Sequence, residues 1–150
     1  MKRILTLLLV LAMPMIVAAR AVRAWSYQEM FDQADLVVIA KPTATKDTEE
    51  KGRVADFSGP YEVIAVATEL EASVIMKGEK KTNQFVLHHY RLAHPDQPVA
   101  NGPNLVAFNP KAHHSFLLFL KKEGDGRYAP VTGQQDPALF SVVRLEGVAR

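Results

Sequence analysis

The sequence predicts a mainly β fold, a small closed or partly closed barrel of five or six strands with one or two peripheral helices. Three observations predict it. Apolar residues alternate with polar ones over an unusually long run between Tyr61 and Met76. Short runs rich in β-branched and aromatic residues recur at Leu36–Ala40, Phe85–Leu92 and Ser115–Leu120, separated by glycine and proline. Helical spacing is confined to one segment before the first strand and one ambiguous segment near the end.

Ahead of this domain lies a different kind of segment. Lys2 and Arg3 precede Ile4–Ala19, an uncharged apolar run that contains Pro14 and ends in small residues. That layout is a secretory signal peptide, and the run is shorter than the roughly 20 residues a spanning helix needs. Small residues at Val22 and Ala24 predict cleavage near Ala24, giving a leader over 1–24 and a single domain over 25–150. The expected product is periplasmic or secreted, with no stable membrane anchor after cleavage. The whole chain carries 18 basic and 16 acidic residues, a net charge of +2. Losing Lys2, Arg3, Arg20 and Arg23 turns this to −2, which argues against nucleic acid as a partner. With no cysteine, an exported domain must be held by packing rather than disulfides.

Trp25, Tyr27, Met30, Phe31 and Ala34 fall three and four apart, and Ser26 with Glu29 forms a capping-box signature, so a short amphipathic helix is expected here. Leu36–Ala40 follows as a buried strand that Pro42 should stop. Charged and polar residues from Thr43 to Gly59 predict a solvated loop. In the Tyr61–Met76 strand, Ile64, Val66, Leu70, Ala72, Val74 and Met76 share one face, with Glu69, Glu71 and Ser73 on the other. Val63–Ala67 is apolar on both faces, so the strand should pass from a covered region to an edge and bend. A turn at Lys77–Glu79 leads to the strand Phe85–Leu92. Three prolines within 93–104 predict a long loop, and Leu105–Phe108 reads as a short strand. Ser115–Leu120 is the most apolar segment and the expected central strand. Glu123–Gly126 is a hairpin turn into Arg127–Val131. Asp136–Leu139 has the form of a capped helix start, and Phe140–Leu145 is left open between helix and strand.

Candidate chemistry is sparse. The histidines His88, His89, His94, His113 and His114 are the main metal-ligand types, and zinc or copper would need three or four converging donors. Adjacent strand residues point to opposite faces, so the plausible set takes one from each pair, His88, His94 and His113. Glu69 and Glu71 share a strand face about 7 Å apart by the strand rise, a spacing compatible with acid–base work but equally with a solvated face. No serine stands in a nucleophile elbow, and Gly124–Gly126 lacks the spacing of a phosphate loop. Lys77, Lys80 and Lys81 read as a solvated hairpin.

Three segments, Phe31–Ala40 (FDQADLVVIA), the long strand ending in Val74–Gly78, and Phe116–Leu120 with its glycine hairpin and Tyr128, together resemble the bacterial relatives of netrin-module and metalloproteinase-inhibitor (TIMP-like) OB-fold domains. The resemblance rests on hydrophobic pattern, the Ala34–Asp35 pair and the Lys77–Gly78 turn. It implies an OB-like β-barrel and an extracytoplasmic binding role. The animal inhibitors chelate zinc through an amino-terminal cysteine, which this chain lacks, so the resemblance does not extend to protease inhibition. The sequence therefore points to an exported, non-enzymatic binding module with no cofactor, whose partner is an extracytoplasmic protein met through loops 43–59 and 93–104. The alternative is a histidine-based zinc or copper protein.

Overall fold

The computed structural model describes residues 23–56, 59–96, 105–134 and 140–145. The segment expected to be a signal peptide, up to residue 22, the greater part of the expected loop 93–104 and the expected helix start at 136–139 lie outside these residues. Among the described residues the fold is mainly β, with one α-helix, α1 (Tyr27–Gln33), and six strands: β1 (Leu36–Asp56), β2 (Gly59–Lys77), β3 (Gln84–Leu92), β4 (Ser115–Lys122), β5 (Tyr128–Pro130) and β6 (Val142–Leu145). They form a single sheet in the order β1-β2-β3-β5-β4-β6, and a further pairing of β1 with β4 closes five of them into a ring. All pairings are antiparallel except that of β3 with β5.

Ser115–Lys122 takes the central place its hydrophobicity predicts. One edge of β4 pairs with β1 through Leu36↔Leu120, Val38↔Leu118 and Ala40↔Phe116, and the other edge is shared by β6 and β5. Alternation sends these three pairs to the inside of the ring, where they form the main core with Leu70, Leu87, Phe85, Val106 and Val142. The intervening pair, Val37↔Phe119, faces outward and is covered by Met30 of α1 and by Ala34, which caps the helix end. The helix forms as its sequence signals: the Ser26 side chain accepts from the Glu29 N–H, and the Glu29 carboxylate accepts from the Ser26 N–H at 2.9 Å. Both contacts satisfy backbone donors that a helix start leaves open.

Several sequence expectations are corrected. The described part of the expected 43–59 loop is strand instead: β1 runs on through Pro42 to Asp56 and pairs with β2 down to Asp56↔Gly59. Pro42 is tolerated because pairing with β4 has ended at Ala40, and a bulge separates Pro42 from Ala44. The result is a long arm of β1 that continues past its pairing with β4; β3 lines the other edge of β2 as far as Val63↔Leu92, so only the tip, Arg53↔Glu62 to Asp56↔Gly59, is two-stranded. Val74 and Met76 are 51% and 46% exposed rather than interior. An extra residue at Ser73, where Ile39↔Val74 is followed by Ala40↔Ala72, shifts the phase, so Ala72 keeps its expected place against the core while Ile75 takes the place expected of Val74. Leu105–Phe108 is not a strand, although Val106 is buried and Phe108 packs on Phe116; a 3-10 turn, Pro110–Ala112, follows it. The open segment near the end is a strand, β6.

The two short motifs of the resemblance meet in space. The Lys77 ammonium donates to the carbonyls of Phe31 and Asp32, at 2.7 and 3.0 Å, at the end of α1 where backbone acceptors lack partners. Lys77 is thus a helix-capping residue, not part of a solvated hairpin. Gly78, at φ 110°, lies so close to the next segment that a Cβ would stand 2.9 Å from the Asp35 carbonyl oxygen. Asp35 in turn accepts the Lys122 backbone N–H at 2.8 Å, and this bond, with Lys121 and Lys77 nearby, holds its carboxyl below the usual range.

Candidate functional site

The histidine pair on β3 divides as strand alternation requires. Leu87 and His89 point into the ring and His88 points out, yet both imidazoles are buried, at 6% exposure for His88 and 3% for His89. His89 Nε2 lies 2.8 Å from the Thr68 hydroxyl, which meets the Thr45 hydroxyl at 2.9 Å, and the ring packs edge-on against Phe108. Its Nδ1 has no hydrogen-bond partner among the described residues. Burial drives the His89 pKa down to about 4; His88 adds to this, and the backbone of Val106 and Tyr90 opposes it. At neutral pH His89 is therefore an uncharged interior group.

His88 stands in a polar cluster drawn from three parts of the chain. Its Nδ1 donates to Glu123 Oε2 at 2.8 Å, at the start of the β4–β5 hairpin. Its Nε2 faces Glu50 Oε2 at 3.8 Å, from a bulge of β1 where Asp47↔Val66 gives way to Lys51↔Ile64. Arg127 ties the two sides together, reaching Glu50 Oε1 at 3.0 Å and Asp125 Oδ2 at 2.6 Å. The Glu50 and Asp125 carboxylates hold the Arg127 pKa up, and the Arg127 backbone N–H followed by its guanidinium holds the Asp125 carboxyl down. Gln134 donates to the His88 carbonyl at 2.8 Å, and Tyr90 packs edge-on at 5.0 Å. On the arm, Asp47 forms a two-pronged pair with Arg91, which lowers the Asp47 pKa.

A carboxylate–imidazole pair of this geometry resembles the orienting half of an acid–base dyad. Proton transfer would require an incoming group within hydrogen-bond reach of Nε2, and that atom is shut off from solvent and faces Glu50. What the cluster does is fix the β1 arm against the β4–β5 hairpin over the outer face of β3.

The other sequence candidates lie apart from it. His94 is exposed and 3.7 Å from Glu62 Oε2, and His113 is exposed in the left-handed conformation that ends the 3-10 turn. Among the described residues no group of three or more histidines and carboxylates is arranged to hold a metal ion, so His88, His94 and His113 are not brought together. Glu69 and Glu71 are exposed on β2. Glu50, Glu123 and Arg127 were not legible as site residues. Glu50 fell in an apparent loop, and Glu123–Arg127 read only as a turn, although an arginine directly after an Asp-Gly pair is the available signal.

No protein-family model matches the chain, and no curated protein is similar to it. No helix of the described residues is long and apolar enough to cross a membrane.

Proposed function

We propose that the chain is an exported, non-enzymatic binding module on an OB-like barrel, and that it engages an extracytoplasmic protein through the outer face of β2 and β3. The strand order β1-β2-β3-β5-β4, closing back on β1 with β3 and β5 parallel, supports the barrel reading. OB-type barrels present ligands to the second and third strands between the loop joining strands one and two and the loop joining four and five. One observation carries the placement: Glu50 of the arm and Glu123, Asp125 and Arg127 of the hairpin converge on His88, on that face. A surface held rigid before contact loses less freedom on binding. The arm also offers Lys46, Glu49, Lys51 and Arg53, all exposed, as a mixed-charge rim of the kind that surrounds non-obligate interfaces. The meeting of Ala34–Asp35 with Lys77–Gly78 makes the resemblance's motifs one structural joint and carries no inhibitory chemistry.

Export is tested by the amino-terminal residue and cell fraction of the expressed protein; an uncleaved, cytoplasmic product refutes it. Binding is tested by capture from extracytoplasmic fractions with immobilised wild type beside a variant in which Lys46, Glu49, Lys51 and Arg53 are charge-reversed. A partner retained only by the wild type supports the proposal, and equal recovery on both refutes the assigned face. The zinc or copper reading keeps one observation, the unpartnered His88 Nε2. Calorimetric titration of metal-free protein decides it, since absence of heat at micromolar metal removes it.

A further inference from the structure

One wall around His89 is a stretch of chain that no ladder holds. Residues 105–109 are neither helix nor strand and take no part in strand pairing among the described residues; the 3-10 turn Pro110–Ala112 follows them. Side chains hold this segment down. Val106 is buried in the main core, and the Phe108 ring meets His89 edge-on at 5.3 Å and Phe116 edge-on at 4.9 Å. The other neighbours of His89 belong to the sheet: it pairs with Val66 of β2, and Thr68, whose hydroxyl meets its Nε2, pairs with Thr45 of β1 and Leu87 of β3.

An imidazolium has two N–H donors and needs an acceptor for each. Nε2 has the Thr68 hydroxyl, but Nδ1 has no hydrogen-bond partner among the described residues. A charge buried in that state is costly, and water is the acceptor that relieves it. Water enters where the surroundings are held least, which is the 105–112 segment. Around the ring, β1 and β2 present the uncharged hydroxyls of Thr45 and Thr68, the segment presents the Val106 backbone and Phe108, and β4 presents Phe116 behind Phe108. On β3 itself His88, on the opposite face, is the titratable group that acts on His89, and it opposes a second charge. Lys111, His113 and His114 follow on the same segment and are exposed. We propose that residues 105–112 form an acid-sensitive strap: a proton on His89 lifts them as a unit and admits water to the imidazole, while β1, β2 and β4 stay joined. Lifting the strap uncovers Phe116 and Val142, which with Val106 floor a cleft of about 610 Å3 beside the segment.

The chain has no cysteine, so Val106→Cys places a single buried thiol on the strap and Val38→Cys a matched one on the β1–β4 wall. Labelling of each folded protein with a dipyridyl disulfide, relative to an unstructured cysteine peptide at the same pH, reads the opening equilibrium. At about pH 5 the strap thiol should react about tenfold or more faster than the wall thiol. Opening returns an imidazole held at about 4 to its ordinary 6.5, so strap labelling should rise about twentyfold between about pH 7 and 5. His89→Gln, which keeps Lys111, His113 and His114, should abolish that rise. Equal labelling of the two thiols at the lower pH makes the opening global and overturns the strap. A strap rate that stays flat across the range overturns it as well, and both of these outcomes are read without the His89 variant. A rise that persists in His89→Gln overturns the role of His89.

Discussion

Acidification should destabilise this protein before its depressed aspartates titrate, and His89 is the reason. In the folded state burial holds its pKa at about 4, while the unfolded chain carries an ordinary value of 6.5, a difference equivalent to about 3 kcal/mol. Because the folded-state value is depressed, the unfolded chain takes up a proton first. The contribution is therefore complete above about pH 6.5 and drains away as the pH falls toward 4, with about 2.5 kcal/mol lost by about pH 4.5. The depressed carboxyls of Asp35, Asp47 and Asp125 act at lower pH, since each sits below an ordinary value of 3.8. Urea unfolding followed by circular dichroism at a series of pH values, on wild type and His89→Gln, isolates the effect. The variant keeps a polar group near Thr68 but cannot titrate, so the gap between the two stability curves should close by about 2.5 kcal/mol between about pH 7.5 and 4.5. Parallel curves over that window would refute the reasoning, as would an His89 imidazole that titrates by nuclear magnetic resonance near 6.5 in the folded protein.

Gly78→Ala should cost roughly 2–3 kcal/mol, because it combines φ 110° with a methyl group 2.9 Å from the Asp35 carbonyl oxygen, and a shift in the urea midpoint measures it. Lys77→Met should cost about 1 kcal/mol by uncapping the carbonyls of Phe31 and Asp32, with hydrogen exchange rising first in α1. Leu118→Ala, at the fully buried centre of β4, should cost about 3 kcal/mol or more. Val74→Ala should change stability by less than about 0.5 kcal/mol, although sequence alternation places Val74 and Leu118 alike in the interior.

That last contrast shows where the sequence was legible. Segments whose fate depends on local chemistry were read correctly: the capping box at Ser26, the apolar run of β4, the Glu123–Gly126 hairpin. The β3 histidines also followed strand alternation. Features set by register were not legible, because one extra residue at Ser73 exchanges the faces of Val74 and Ile75, and a second register shift follows at Met76. The arm was missed for a related reason. Lys, Glu and Thr in 43–56 match a solvated loop by composition, and only the long partner strand β2 forces them into pairing. The His88 cluster draws on Glu50, His88 and Arg127, which are far apart in the sequence, and nothing local to any of them announces the others.

The ring is closed in a lopsided way. Its seam between β3 and β5 rests on one described backbone pair, Leu87↔Tyr128, whereas β1 and β4 meet over five. Backbone hydrogen bonding therefore does little to keep this side shut, and the joint depends on side chains: Phe85 against Tyr128 at 5.6 Å, Gln134 on the His88 carbonyl, and His88 on Glu123. Amides bordering the seam should be the first of the ring to exchange with solvent, by a local opening that leaves the β1–β4 wall intact. Any partner that grips both the arm and the hairpin would span this joint. Its mechanical effect would be to stiffen the ring where the ring is weakest.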